Sequence, residues 1–244
     1  MNIIRHYFKL SKFALRGNDG FYAAREYMGE VLIGELEEFI NLKNKKVLDI
    51  GGERGEFCKI LSEKRNCQAL NLEPGLVAGG FVHKTIIGTA DKLPFRKESF
   101  DVVLFRGVIQ HIPTGKKLES LKEIHRVLKK DGIAYVMIPP WYNPLSGQDI
   151  KPFQYFPFPI AKHLRNSIFS SEIKAKSLAE LGLWPMTHRK TVQLIKKTNF
   201  EILKTQDVLF RMHFVTKIPI LREVILPSVG FIVGKSNRMP KGKH

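Results

Sequence analysis

Between residues 46 and 138 short apolar runs alternate with helical ones, a rhythm that few folds other than a parallel sheet covered by helices can accommodate. Val47–Ile50 reads as a strand, Glu56–Lys64 as a helix, Gln68–Leu72 as a second strand and Lys84–Ile87 as a third. Asp101–Phe105 is a fourth, very apolar strand. Lys116–Lys129 puts Leu118, Leu121, Ile124 and Leu128 on one helical face, Lys130-Asp131-Gly132 stops it, and Ile133–Ile138 is the fifth strand.

The rhythm then breaks. Residues 139–187 hold Pro139, Pro140, Pro144, Pro152, Pro157 and Pro159 among many aromatics. A stretch of that length is too long for a passive connection, so it reads as a lid or substrate-binding insertion. A helix near His188–Lys197, a strand near Phe200–Phe210 and a last strand near Ser228–Val233 restore the pattern. Before the first strand, Arg5, Lys9, Lys12 and Arg16 recur at helical spacing beside Ile4, Phe8 and Leu15, a basic amphipathic pattern. After Gly17-Asn18-Asp19-Gly20, a second helix is expected over Phe21–Ile40, with Met28, Leu32, Leu36 and Ile40 on its apolar face. The expected organisation is therefore an N-terminal helical segment, 1–41, that caps a site or touches a membrane surface, and a main domain, 42–244.

Composition narrows the function classes. The chain has 244 residues, 43% hydrophobic and 26% charged, which suits one globular α/β domain. The two cysteines, Cys58 and Cys67, imply no disulfide framework and match no metal-site spacing, so no metal is expected. No uncharged apolar run reaches the ~18 residues of a membrane span, and the basic N-terminus is not a secretory signal. A cytoplasmic chain, with peripheral membrane contact as an open option, is expected. The net charge is +17. It concentrates in residues 151–244, where 17 Lys and Arg face 5 Asp and Glu. Such a bias favours an anionic partner, be it nucleic acid, a phosphorylated substrate or a membrane, without choosing among them.

The chemistry concentrates after the first strand. A glycine turn between strand and helix lets a ligand approach the backbone closely at a helix N-terminus. Here the spacing is Asp49-x-Gly51-x-x-x-Gly55, with an acid ahead of the first glycine, unlike the pyrophosphate-binding GxGxxG. An acid there suits a cationic ligand. Glu73 ends the second strand, where a carboxylate can accept both hydroxyls of a ribose. Asp91, in Gly88-Thr89-Ala90-Asp91-Lys92-Leu93-Pro94-Phe95, is placed to receive an adenine amino group.

From Val47 to Pro140 the chain resembles the class I S-adenosylmethionine-dependent methyltransferases, in particular the methyltransferase type 11 group. The Asp-x-Gly loop, the acid ending strand two, Ala90-Asp91-Lys92-Leu93-Pro94-Phe95, and Phe100-Asp101-Val102-Val103 followed by Val108-Ile109-Gln110-His111-Ile112 carry the resemblance, as does Leu121-x-x-Ile124-x-Arg126-Val127-Leu128-Lys129-Lys130-Asp131-Gly132. It implies a Rossmann-like seven-stranded methyltransferase sheet with helices on both faces, and S-adenosyl-L-methionine as cofactor. It further implies that Asp49, Gly51, Gly52 and Gly55 shape the methionine pocket, that Glu73 holds the ribose and Ala90 with Asp91 the adenine, and that Arg106 and Gly107 line the methionine side through backbone groups. One position departs: Glu53 stands where the family usually has a second glycine.

Displacement at a sulfonium gains from positioning and desolvation, and a hydroxyl acceptor also gains from a general base. His111, Asp149 and His163 are the candidate bases. Trp141 and Tyr142, with Gln148, are candidate acceptor contacts; the insertion's aromatics either form that pocket or pack as the lid's own core. The acceptor is expected to be a small molecule, glycan or lipid-linked compound methylated at oxygen or nitrogen. An RNA methyltransferase using the basic C-terminal half and a non-catalytic binding protein of the same fold stand as alternatives. Nothing in the sequence indicates the oligomeric state.

Overall fold

The computed structural model describes residues 8–9, 12, 17–169, 172–207 and 212–236. The expected basic helix over 2–16 lies mostly outside these residues, as do the end of the strand expected to reach Phe210 and most of the basic tail. The strands are β1 (Lys46–Ile50), β2 (Gln68–Glu73), β3 (Thr85–Ile87), β4 (Phe100–Arg106), β5 (Leu128–Ile138), β6 (Phe200–Gln206) and β7 (Val229–Lys235). They form one seven-stranded sheet in the order β3-β2-β1-β4-β5-β7-β6. β1 to β5 pair in parallel, and β7 inserts antiparallel between β5 and β6. The helices are α1 (Gly17–Glu37), α2 (Glu56–Arg65), α3 (Lys117–Val127), α4 (Phe158–Ile168), α5 (His188–Lys196) and the short α6 (Leu221–Val224).

Two cores flank the sheet because strand side chains alternate. Leu48, Ile50, Val103 and Phe105 point to one face, under Leu121, Ile124 and Val127 of α3 and Ile195 of α5. Val47, Val102, Leu104 and Tyr135 point to the other, under Leu32 and Leu36 of α1 and Phe57 and Leu61 of α2. Gly29 lets the two helices on this face approach closely, since a Cβ there would lie 2.9 Å from the Phe57 ring. The helix expected to run to Lys129 stops at Val127, because Leu128 already pairs with Phe100 as the first residue of β5.

The insertion folds as a satellite with its own small core. Ile150, Ala161 and Ile173 are buried there, with Trp141, Phe153 and Phe158 packed against them. Its two ends are joined to each other, Trp141 N–H donating to Met186 O, and the second is tied to the main body, where the buried Lys117 of α3 donates to Trp184 O at 2.7 Å.

At the start of α5, His188 is buried with its ring 5.0 Å from that of Phe231 on β7. Burial, aided by the Arg222 charge, pushes its pKa down to about 4. Its folded pKa lies below the unfolded value, so between about pH 6.5 and 4 the unfolded chain binds the extra proton. Stability is therefore expected to fall as pH drops through that window, by about 2–3 kcal/mol. Urea unfolding at pH 7 and pH 4.5 checks this: His188→Gln should lose less stability on acidification than the wild type.

Candidate functional site

The turn after β1 is built from backbone that side chains could not occupy. Gly51 has φ +71°, and a Cβ there would sit 2.3 Å from Val108 Cγ2; one on Gly52 would sit 2.5 Å from Asn71 Oδ1. Glu53 takes the same left-handed region, at φ +54°, a conformation that costs an L-residue roughly 1–2 kcal/mol. Its peptide is held on both sides. Its N–H donates to the Glu73 carboxylate, and its carbonyl accepts from Asn71 Nδ2 at 2.9 Å. Asn71, fully buried on β2, also donates to Thr85 Oγ1 at 3.2 Å. The loop thus keeps a glycine-like backbone where a glycine is missing, with neighbouring strands supplying the restraint. Burial, with the nearby Glu53 and Asp49 charges, holds the Glu73 pKa above the ordinary carboxylate value despite the N–H it receives.

Asp49 and Arg106 point to the α1/α2 face of the sheet. Asp49 lies opposite Leu104, so Arg106 is two residues further along the neighbouring strand on the same side. Arg106 Nη2 donates to Asp49 Oδ2 at 2.8 Å, and the guanidinium stacks 4.3 Å from the centre of the Phe57 ring. Asp49 is 1% exposed. Although burial opposes charge on Arg106, the Asp49 carboxylate raises its pKa. Arg106 is expected to line the methionine side through backbone groups and Asp49 to face a cationic ligand; the structure adds that their side chains are partners.

Two cavities open along the C-terminal edge of the sheet, where ligands of open α/β sheets bind. One, of about 240 Å³, is lined by Ile50, Leu72, Pro74, Ala90, Asp91, Val108 and His111–Pro113. The second, of about 410 Å³, lies on the α1/α2 face, between Met28 and Leu32 of α1, Phe57 and Ile60 of α2, and Arg106, Tyr135 and Met137 of the sheet. Gly51 lines both, so the two cavities adjoin at the turn. Gly55, at φ +85°, ends the turn and caps α2.

The other expected residues are distributed unevenly. Asp91 borders the smaller cavity and pairs with Lys116 Nζ at 2.9 Å, which lowers its pKa. His111 also borders it, with both ring nitrogens engaged: Nδ1 is 3.0 Å from Gly182 O and Nε2 is 3.2 Å from Gln148 Nε2. A neutral ring donating from Nδ1 and accepting at Nε2 satisfies both contacts. Gln148 therefore meets His111. Asp149 instead faces a separate hollow beneath the insertion, and His163 is exposed on α4. Trp141 packs in the insertion's core and Tyr142 is exposed. None of these four residues lines the two adjoining cavities. Sequence reasoning assigned no role to Asn71 or Lys116. Asn71 carried a signal, a polar residue within an apolar strand.

A protein-family model described as a methyltransferase domain matches residues 24–204. No curated protein matches the chain. Among solved structures, a protein from Pyrococcus horikoshii OT3 superposes with TM-score 0.61 at 19% identity, over 88% of this chain and 91% of that one. A TehB-like S-adenosylmethionine-dependent methyltransferase from Corynebacterium glutamicum gives 0.58 at 14% identity, over 93% and 97%. The 1,6-didemethyltoxoflavin-N1-methyltransferase of Burkholderia thailandensis, solved with 1,6-didemethyltoxoflavin and S-adenosylhomocysteine, gives 0.56 at 15% identity, over 96% and 88%. The strand order, with its antiparallel β7, is that of class I methyltransferases, and the chain belongs to the methyltransferase-domain family.

Proposed function

We propose that this protein transfers a methyl group from S-adenosylmethionine to a small, largely apolar acceptor held in the 410 Å³ chamber beside the glycine turn. The carrying observation is the position of Gly51, which borders both a cleft with room for an adenosine and a second, mostly apolar chamber edged by Glu53, Glu56 and Arg106. The residues fit the cofactor. Apolar walls from Ile50, Leu72 and Val108 suit a purine, and Glu73 at the end of β2 suits ribose hydroxyls. Ala90 and Asp91 border the same cleft. The bare backbone of Gly51 and Gly52 admits a ligand at close range.

When bound, S-adenosylmethionine supplies a methyl group on a sulfonium, a good leaving group. The protein's share is positioning and exclusion of water, which can account for much of the rate of such a displacement. α1 roofs the chamber and keeps water out. Asp49 and Arg106 neutralise each other and fix the floor. His111 is a positioning residue, tied to Gly182 and Gln148, and no proton transfer is assigned to Asp149 or His163. α1 thus acts with the catalytic domain as a roof, and 139–187 close the far side.

Release of S-adenosylhomocysteine during incubation with a panel of apolar phenols, amines and carboxylic acids tests this reading. Met28→Trp, which fills the chamber from α1, is expected to lower acceptor kcat/KM at least ~10-fold, equivalent to ~1.4 kcal/mol. The cofactor Kd should stay within about twofold, because Met28 does not line the adenosine cleft. Equal losses for cofactor and acceptor would place the acceptor elsewhere.

A further inference from the structure

Residues 213–225 connect β6 to β7 and hold an unusual density of exposed apolar side chains. Phe214 is 64% and Ile220 75% exposed, and Ile218, Leu221, Val224 and Ile225 are exposed as well. A soluble surface scatters large apolar residues singly, and a contiguous run marks an interaction site. The run continues across a joint onto the insertion. Asn143 Nδ2 donates to Val224 O at 2.8 Å and Ser146 Oγ to Pro227 O at 3.4 Å, so the exposed Leu145 lies in the turn of the insertion that is bonded to this segment.

Cations predominate around this surface. Lys217 is exposed within the run. Lys151 and Arg165 border the hollow between the insertion and Pro227, with Asp149 the one acid on its wall. The acid of the run itself, Glu223, is turned inward, accepting from the N–H groups of His188 and Arg189 at the start of α5. The surface is thus apolar at its centre and cationic at its edge, within a C-terminal region of 17 basic against 5 acidic residues. That combination matches an anionic bilayer, in which apolar side chains enter the headgroup boundary and Lys and Arg meet lipid phosphates.

We infer that residues 213–225, together with Leu145, form a docking surface for an anionic membrane, on which the protein sits peripherally. The inference is independent of the proposed acceptor. It assigns membrane contact to this C-terminal surface rather than to the basic N-terminal segment. Ser228, which follows Pro227 directly, lines the 410 Å³ chamber, so docking brings the chamber close to the lipid.

Co-sedimentation of the full chain with vesicles tests this, using phosphatidylcholine alone and phosphatidylcholine with 30% phosphatidylglycerol. The expected result is binding to the anionic vesicles at least tenfold tighter than to the neutral ones, weakened by salt. Ile220→Glu with Ile225→Glu should reduce it at least tenfold, and removal of residues 1–16 should leave most of it. Both side chains are exposed, so the double variant should keep the wild-type unfolding midpoint and cofactor affinity. Absence of binding to anionic vesicles, or loss on removing residues 1–16 but not with the double variant, overturns the inference. A stable dimer in light scattering that the double variant dissociates, without vesicle binding by the wild type, would make this face a contact between copies instead.

Discussion

Asp49→Ala is expected to lower the thermal unfolding midpoint by about 10 °C. It removes one partner of a buried ion pair and leaves the Arg106 guanidinium without its 2.8 Å carboxylate beside the Phe57 ring. Breaking such a pair from one side costs roughly 3–5 kcal/mol, and in a chain of this size each kcal/mol moves the midpoint by about 2–4 °C. The cost is the desolvated charge left behind rather than the worth of the pair. The double variant Asp49→Ala, Arg106→Met should therefore recover most of the loss, giving a coupling well above 1 kcal/mol in a double-mutant cycle. Recovery of stability without recovery of cofactor affinity would show that the pair also shapes the floor of the binding turn. If Asp49→Ala unfolds within about 2 °C of the wild type, the ion pair contributes little to the fold.

Gly51→Ala should be nearly as severe, and chiefly at the level of binding. The position needs φ +71°, and the new Cβ would lie 2.3 Å from Val108 Cγ2. A left-handed alanine costs about 1–2 kcal/mol, and forcing a methyl into a packed contact typically adds 1–3. Relief by movement of Val108 would narrow the smaller cavity, which both residues line. The expected outcome is a midpoint lower by about 6–10 °C and a cofactor Kd at least ~100-fold weaker, read by scanning calorimetry and titration calorimetry. Val108→Ala in the same chain should return part of both, because the steric share of the penalty resides in that side chain and the φ share does not.

Elements whose sequence period matches one environment were legible in the sequence. β1, β2 and β4 are buried on both faces and read as apolar runs, and α3 shows its stripe of Leu121 and Ile124 directly. The glycine turn was legible because its conformations exclude most side chains. Glu53 shows the limit of that logic: the left-handed backbone persists at a residue that disfavours it, since Glu73 and Asn71 hold its peptide from strands nearby. Such restraint is tertiary and leaves no local mark.

The same holds for the side-chain pairs. Asp49 and Arg106 are 57 residues apart in the chain, and they meet only because β1 and β4 are neighbours in the sheet. Read singly, the acid suggested a cationic ligand and the arginine a backbone role. The insertion was ambiguous for another reason. Its aromatics signal either a ligand surface or a private core, and composition is identical in the two cases. Burial separates them, placing Trp141, Phe153 and Phe158 against Ile150 and Ala161 and leaving Tyr142 exposed. The sequence leaves the role of α1 open because Met28 and Leu32 look the same whether they cover a core or border a cavity.

The turn at Gly51 and the acid at Glu73 are proposed to hold the adenosyl ligand of this methyltransferase. Titration calorimetry of the full chain with S-adenosylhomocysteine, run beside Glu73→Ala, tests it most directly. The expected result is saturable binding of one ligand per chain, weakened at least ~10-fold, or about 1.4 kcal/mol, by the substitution. Absence of binding by a folded wild-type chain, or equal affinity in Glu73→Ala, would contradict it.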